Sequence, residues 1–178
     1  MHPPRYAVDD AALARLGGQA RLWRCPHCGR TDTFNAHGSL RGVAVTAPGK
    51  DALRGRRFFC SNRGRRPGCG RTWSVLLPQV LRHASVRTAS LWRFCRGWLA
   101  GQSILAAWEQ AQSGFSLESA YRWWRRWRAG EPALRTLLWR GREPPGSLLA
   151  AIAERYGPGD PLADFQAREQ RVWPGFGS

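Results

Sequence analysis

The sequence predicts an α+β chain in which a small, metal-stapled β unit precedes a helical bundle. Three observations lead there. Four cysteines fall in two pairs within a segment broken by Gly and Pro into short β-like pieces. The stretch from Val86 to Arg140 contains no proline except Pro132 and repeats apolar residues at helical spacing. The 178 residues include 28 basic and 12 acidic side chains, a formal net charge of +16.

That charge narrows the partners before any motif is read. All the basic residues except Lys50 are Arg. GC-rich codon usage would account for Arg over Lys but not for the excess of either over Asp and Glu. The excess points to a polyanion, usually nucleic acid. No apolar run approaches the ~18 residues that span a bilayer, and no basic amphipathic segment leads into an apolar anchor, so no membrane partner is expected. The first ten residues lack a basic-then-apolar leader pattern, which makes a cytoplasmic, nucleoid location the expectation. The charge is concentrated in the first two-thirds: residues 21–83 carry a net +11, residues 84–143 a net +6, and residues 144–178 a net −1. Three segments follow: a β unit over 20–80, helices over 84–143, and a helical and irregular tail over 144–178.

In the first segment the β-like pieces are Leu22-Trp23-Arg24, Val43-Ala44-Val45, Arg57-Phe58-Phe59 and Thr72-Trp73-Ser74-Val75. Cys25-Pro26-His27-Cys28-Gly29 is a CxxC knuckle, in which two thiolates share one tetrahedral metal while a tight turn aims N–H groups at the sulfurs. Cys60 and Cys69 are the pair that closes the site. Cys69-Gly70-Arg71 echoes Cys28-Gly29-Arg30, as two facing knuckles would. The spacing is C-x2-C-x31-C-x8-C. The long last gap holds a basic, turn-rich insert, Ser61 to Gly68. Disulfides, a redox pair and simple burial compete with a metal. The lack of a leader pattern, the absence of a βαβ frame around the CxxC, and the thin apolar content favour structural Zn2+ on Cys25, Cys28, Cys60 and Cys69, a zinc ribbon. His27 is expected to point outward, and His37 is the substitute ligand should Cys60 or Cys69 fail. Cys95 lies on an apolar helical stripe and belongs to the core. Four cysteine ligands leave no open position for water, so no metal catalysis is expected.

Three helices are placed in the second segment. The first runs from Val86 to Leu99 with Leu91, Phe94, Cys95, Trp98 and Leu99 on one face. The second starts at Gln102-Ser103 and carries Ile104, Leu105, Ala107, Trp108 and Ala111. A short turn, Gln112 to Ser116, leads into the third helix, Leu117 to Ala129, with Ser116 as N-cap and Gly130 as terminator. Glu118 suits the positive end of that helix. A helix, a Gly-containing turn and an Arg-rich helix form the helix-turn-helix pattern. At 100° per residue Leu117, Ala120, Trp124 and Trp127 face inward. Ser119, Arg122 and Arg126 lie opposite, flanked by Glu118 and Arg125, on a face suited to a major groove. Trp123 falls between the two. In the tail, Ser147 and Gly157 bracket one more short helix ending at Tyr156, while 158–178 show little periodicity.

Cys25-Pro26-His27-Cys28-Gly29, Arg56-Arg57-Phe58-Phe59-Cys60 and Gly68-Cys69-Gly70-Arg71-Thr72-Trp73-Ser74, followed by helices ending in Ser119-Ala120-Tyr121-Arg122-Trp123-Trp124-Arg125-Arg126-Trp127, resemble one known arrangement. It is the zinc ribbon plus helix-turn-helix DNA-binding region of bacterial insertion-sequence transposases and their small regulators. The resemblance spans about residues 22–130 and implies binding to the element's terminal repeats, with repression of transcription by the small form. Two features depart from it. The gap between Cys60 and Cys69 is longer than the family's, and Gln110 stands where Ala is common. The transposases cut DNA with an acidic triad on a ribonuclease-H-like sheet. Here the acids after residue 130 lie where no strand pattern exists, so nuclease activity is not carried over.

The expectation is therefore a non-enzymatic protein that binds double-stranded DNA. Ser119, Arg122, Arg125 and Arg126 face the groove, and Arg63, Arg65 and Arg66 touch phosphates. The alternative is a nucleic-acid-binding adaptor in a larger nucleoprotein complex, with the neutral tail docking a protein partner. RNA is the weaker partner.

Overall fold

Along one strand Phe58 and Cys60 are fully buried while Arg57 is exposed, and this alternation organises the first part of the molecule. The computed structural model describes residues 1–43, 51–111, 114–139 and 146–174. It divides into two units, Met1–Pro78 and Gln79–Ser178. Among the described residues no helix is long and apolar enough to cross a membrane.

In the first unit, α1 (Asp10–Gln19) is capped by the Asp9 carboxylate, which accepts the Ala12 N–H at 2.6 Å. Strands β1 (Phe34–Val43), β2 (Asp51–Cys60) and β3 (Thr72–Leu76) form an antiparallel sheet in the order β1-β2-β3. The Tyr6 segment bridges to Leu76 in parallel, with the Leu76 N–H donating to the Arg5 carbonyl at 2.9 Å and the Ala7 N–H to the Leu76 carbonyl at 3.0 Å. The inner sheet face carries Phe34, Phe58 and Val75, which are buried with Tyr6, Leu13, Ala20 and Trp23. Trp23 meets Phe58 and Phe34 edge-on, with centroids 4.8 and 6.0 Å away.

Two expectations for this unit are corrected. Leu22-Trp23-Arg24 is not a strand. Ala20–Leu22 is a 3₁₀ turn that drops the Trp23 indole into the core and leaves Leu22 67% exposed. Strand β1 is also far longer than the sequence suggested. It starts at Phe34, and an extra residue, His37, interrupts its alternation between Ala36 and Gly38, while the second irregularity, opposite Leu40 and Arg41, lies in β2 at Arg54. Ala44-Val45 and Lys50 lie outside the described residues.

In the second unit, α2 (Thr88–Leu99) buries Leu91, Trp92, Phe94 and Cys95 as an apolar stripe requires, but Leu99 is left exposed. Ser103 caps α3 (Ile104–Gln110), accepting the Ala106 N–H at 3.2 Å. Trp108 meets Phe94 edge-on at 5.2 Å, and its Nε1–H donates to the Phe115 carbonyl at 3.0 Å. Gln112-Ser113 of the expected turn lie outside the described residues.

Helix α4 (Leu117–Trp139) does not stop at Gly130; it runs on through Pro132. A proline inside a helix removes one hydrogen bond and crowds the preceding turn. What offsets this is burial, because the continuation brings Leu134 and Leu138 into the core. The buried stripe is therefore Ala120, Trp123, Trp127, Gly130, Leu134 and Leu138. It is centred near Trp123, while Trp124 is only half-buried and Leu117 is exposed. The Pro144-Pro145 break lies outside the described residues.

The tail is built into this second core. Helix α5 (Leu148–Tyr156) is capped by Ser147, which accepts the Ala150 N–H at 3.1 Å, and ends at Gly157 with φ +94°. Helix α6 (Pro161–Glu169), capped by Asp160, had no counterpart in the sequence pattern. Leu149, Ile152, Tyr156, Leu162, Phe165 and Trp173 join the same buried cluster as α2, α3 and α4.

Candidate metal centre and nucleic-acid face

Four sulfurs converge where the ends of β2 and β3 meet the loop after Trp23. Cys25, Cys28, Cys60 and Cys69 each place Sγ within 4.8 Å of all the others. Cys25 and Cys69 are 3.8 Å apart, as are Cys28 and Cys60. These distances exclude disulfides, whose sulfurs lie about 2.05 Å apart. They match a tetrahedron: ligands about 2.3 Å from a central ion sit about 3.8 Å from one another. The four residues brought together are the four that the spacing selected, and they could hold a metal ion.

The backbone explains how an x8 gap closes a knuckle. In the first knuckle the Cys25 N–H donates to the Arg30 carbonyl and the Gly29 N–H to the Cys25 carbonyl, both at 2.8 Å. In the second, the Cys60 N–H donates to the Arg71 carbonyl and the Gly70 N–H to the Cys60 carbonyl, both at 2.9 Å. Gly29 and Gly70 have φ of +73° and +74°. The two halves are thus related as Cys25…Cys28-Gly29-Arg30 to Cys60…Cys69-Gly70-Arg71. The extra length leaves and returns at one point, where the Gly68 N–H donates to the Ser61 carbonyl at 2.8 Å. A side chain at Gly68 would run into that carbonyl. Without residues 62–67 the pair would read Cys-Ser-Gly-Cys, a second CxxC.

Polar contacts support the sulfurs. The Cys69 N–H approaches the Cys60 Sγ at 3.4 Å, and the buried Thr33 hydroxyl lies 3.2 Å from it. With protons in place of a metal the thiols differ. Burial pushes Cys25 up to about 12, whereas the Arg30 backbone N–H draws Cys28 down to about 7. Burial also raises Cys69. A cation would bring all four into the thiolate form together.

The histidines stay outside the cluster. His27 is exposed, with its ring 6.3 Å from Trp73 and its Nδ1 3.4 Å from the Arg71 guanidinium. His37 stands on Phe59 instead, 5.7 Å between centroids. Cys95 is buried in the other unit, and complete desolvation pushes its thiol up to about 12, leaving it unreactive.

On α4 the expected DNA-facing residues separate. Arg122 and Arg125 are exposed beside Tyr121, which is 48% exposed. Ser119 and Arg126 are half-buried, and Arg126 turns back over Trp123 at 5.7 Å. Arg128 lies over Trp124 and 3.9 Å from Glu131. The open face is therefore rotated toward Arg125 from the one expected. The shift has the same cause as that of the buried stripe: the continuation past Pro132 fixes which side packs. In the insert, Arg63 and Arg65 are exposed, and Arg66 donates to the Asn35 carboxamide.

Comparison with protein-family models, curated proteins and solved structures finds no match to this chain, so the reading of its site rests on its own residues.

Proposed function

We propose that the chain is a zinc-stapled protein that binds double-stranded DNA through the exposed face of α4. The observation that carries the reading is the pair Arg122 and Arg125. Both are solvent-exposed on one helix face, and among the described residues neither has an ion-pair partner, whereas Arg128 and Arg135 are engaged by Glu131. Two uncommitted guanidiniums one turn apart on a helix suit guanine edges or phosphates. A net charge of +16 supplies the long-range attraction. Four thiolates in a tetrahedron favour zinc among common divalent ions, as a structural ion that closes the β unit. The resemblance to the DNA-binding region of insertion-sequence transposases and to their small regulators adds a mobile-element setting, in terminal-repeat binding or transcriptional control. An adaptor role is the alternative.

The test is an anisotropy titration with a duplex selected from a random pool and a scrambled duplex, at several salt concentrations. Arg122→Ala should lower affinity for the selected duplex by about 1–3 kcal/mol and shrink its advantage over the scrambled one. Equal, small losses on both duplexes would reject α4 as the reader and favour the adaptor.

A further inference from the structure

Around Phe59 the outer face of the three-stranded sheet gathers an aromatic ring, an imidazole and several guanidiniums, with no carboxylate among the side chains described there. Phe59, half-buried near the end of β2, pairs with Asn35 of β1 on one side and Thr72 of β3 on the other. The exposed Arg57 is on the same face by alternation. The irregularity between Ala36 and Gly38 re-aims His37, so that its ring lies 5.7 Å from Phe59 at an interplanar angle of 38°. The six-residue excursion from the second knuckle folds back over this face. Arg63 stands 5.8 Å above the Phe59 ring, and Arg66 is tied to Asn35. Arg65, in the same excursion, is exposed. No Asp or Glu occurs from Thr33 to Gly42 or from Ala52 to Leu76.

A solvated sheet face has no use for a ring flanked by cations. A duplex cannot use it either, because its base faces are stacked on one another. An unpaired base can. Stacking on an aromatic ring is open to every base, and flanking arginines neutralise the phosphates on either side. We propose that this face is a stacking platform for single-stranded nucleic acid. An unpaired base takes the place of the Arg63 guanidinium on the Phe59 ring, with His37 at its side, while Arg57, Arg63 and Arg65 hold the adjoining phosphates. The proposal does not depend on the α4 reading.

The experiment uses the full chain with its metal and three labelled 15-nucleotide probes: oligothymidylate, oligouridylate, and a strand with the same phosphates but abasic sugars. At least one base-bearing strand should bind on the order of 5- to 150-fold more tightly than the abasic strand, and which one does so tells DNA from RNA. Phe59→Leu should remove most of that advantage, and Phe59→Tyr should restore it. Affinity of Phe59→Leu for a duplex should stay at the level of the unaltered chain. Equal binding of all three probes would overturn the proposal, and so would an equal loss of single-strand and duplex binding in Phe59→Leu. If Phe59→Leu fails to retain metal, the base-bearing against abasic comparison on the unaltered chain decides. Failure of the α4 reading is seen separately, in Arg122→Ala on the selected duplex.

Discussion

The Thr88 hydroxyl donates to the Asp160 Oδ2 at 2.7 Å, joining the first turn of α2 to the N-cap of α6 across 72 residues of sequence. Thr88 is fully buried, and the same carboxylate accepts the Ala163 N–H at 3.2 Å. Burial raises the Asp160 pKa above its ordinary value, and the two donors hold it back.

Thr88→Val keeps the shape and removes the donor, so it should destabilise the helical unit by about 1–3 kcal/mol in urea denaturation at neutral pH. The penalty should depend on pH with a definite sign. The folded pKa of Asp160 lies above the unfolded one, so the folded chain takes up the proton more readily. This carboxyl therefore favours the folded state in acid, and the contribution fades as pH rises through the folded value. The cost of Thr88→Val should accordingly shrink toward acid pH, where Asp160 carries a proton and needs no donor.

Metal content offers a sharper check. Cys60→Ser should abolish stoichiometric zinc and unfold the β unit, while Cys95→Ala should leave the zinc per chain unchanged. Deleting Asn62–Pro67, so that Ser61 is joined to Gly68, should also leave zinc unchanged, since the hydrogen bonds of the second knuckle arise outside the deleted residues. Loss of metal in that deletion would show that the insert helps build the site.

Trp173 is fully buried, stacked on Trp127 at 5.4 Å and edge-on to Phe165 at 4.8 Å. Trp173→Ala should cost about 3–5 kcal/mol and lower the melting temperature of the helical unit. The buried Gln166 amide uses both ends, donating to the Val80 carbonyl and accepting the Trp173 N–H, each at 3.1 Å. Gln166→Leu should be destabilising despite its apolar character, because it orphans both partners.

Arg126→Ala should affect duplex binding less than Arg125→Ala. Its guanidinium is committed to Trp123, whereas Arg125 is exposed. The ordering is read by anisotropy at two salt concentrations, and the reverse order would place the groove-facing side back where spacing alone puts it.

The metal centre was the most legible part of the sequence, since cysteine is rare and the Cys-Gly-Arg echo marks both knuckles. The Ser147 cap was legible because a local side chain does a local job. What escaped needed partners distant in sequence. Gly130 reads as a stop because local propensity says so, and only the burial of Leu134 and Leu138 overrides it. That one misjudged terminus also shifted the inward face from Trp124 to Trp123 and the open face from Arg126 toward Arg125. Helix α6 was missed because Pro158 and Pro161 suggested irregular chain, although Pro161 sits in the first turn, where a helix tolerates it. His37 and Phe59 are brought together by a strand irregularity whose only mark in the sequence is Gly38, at φ +131°, inside an otherwise unpatterned segment.

The meeting of Ser61 and Gly68 gives the second knuckle a property the first lacks. Chain leaves and rejoins the metal-bound frame at nearly one point, so whatever lies between is a graft on a closed root. Its length and charge can therefore change without moving the frame that positions the sulfurs. A lineage carrying this frame can retune what the β unit touches without refounding how it folds.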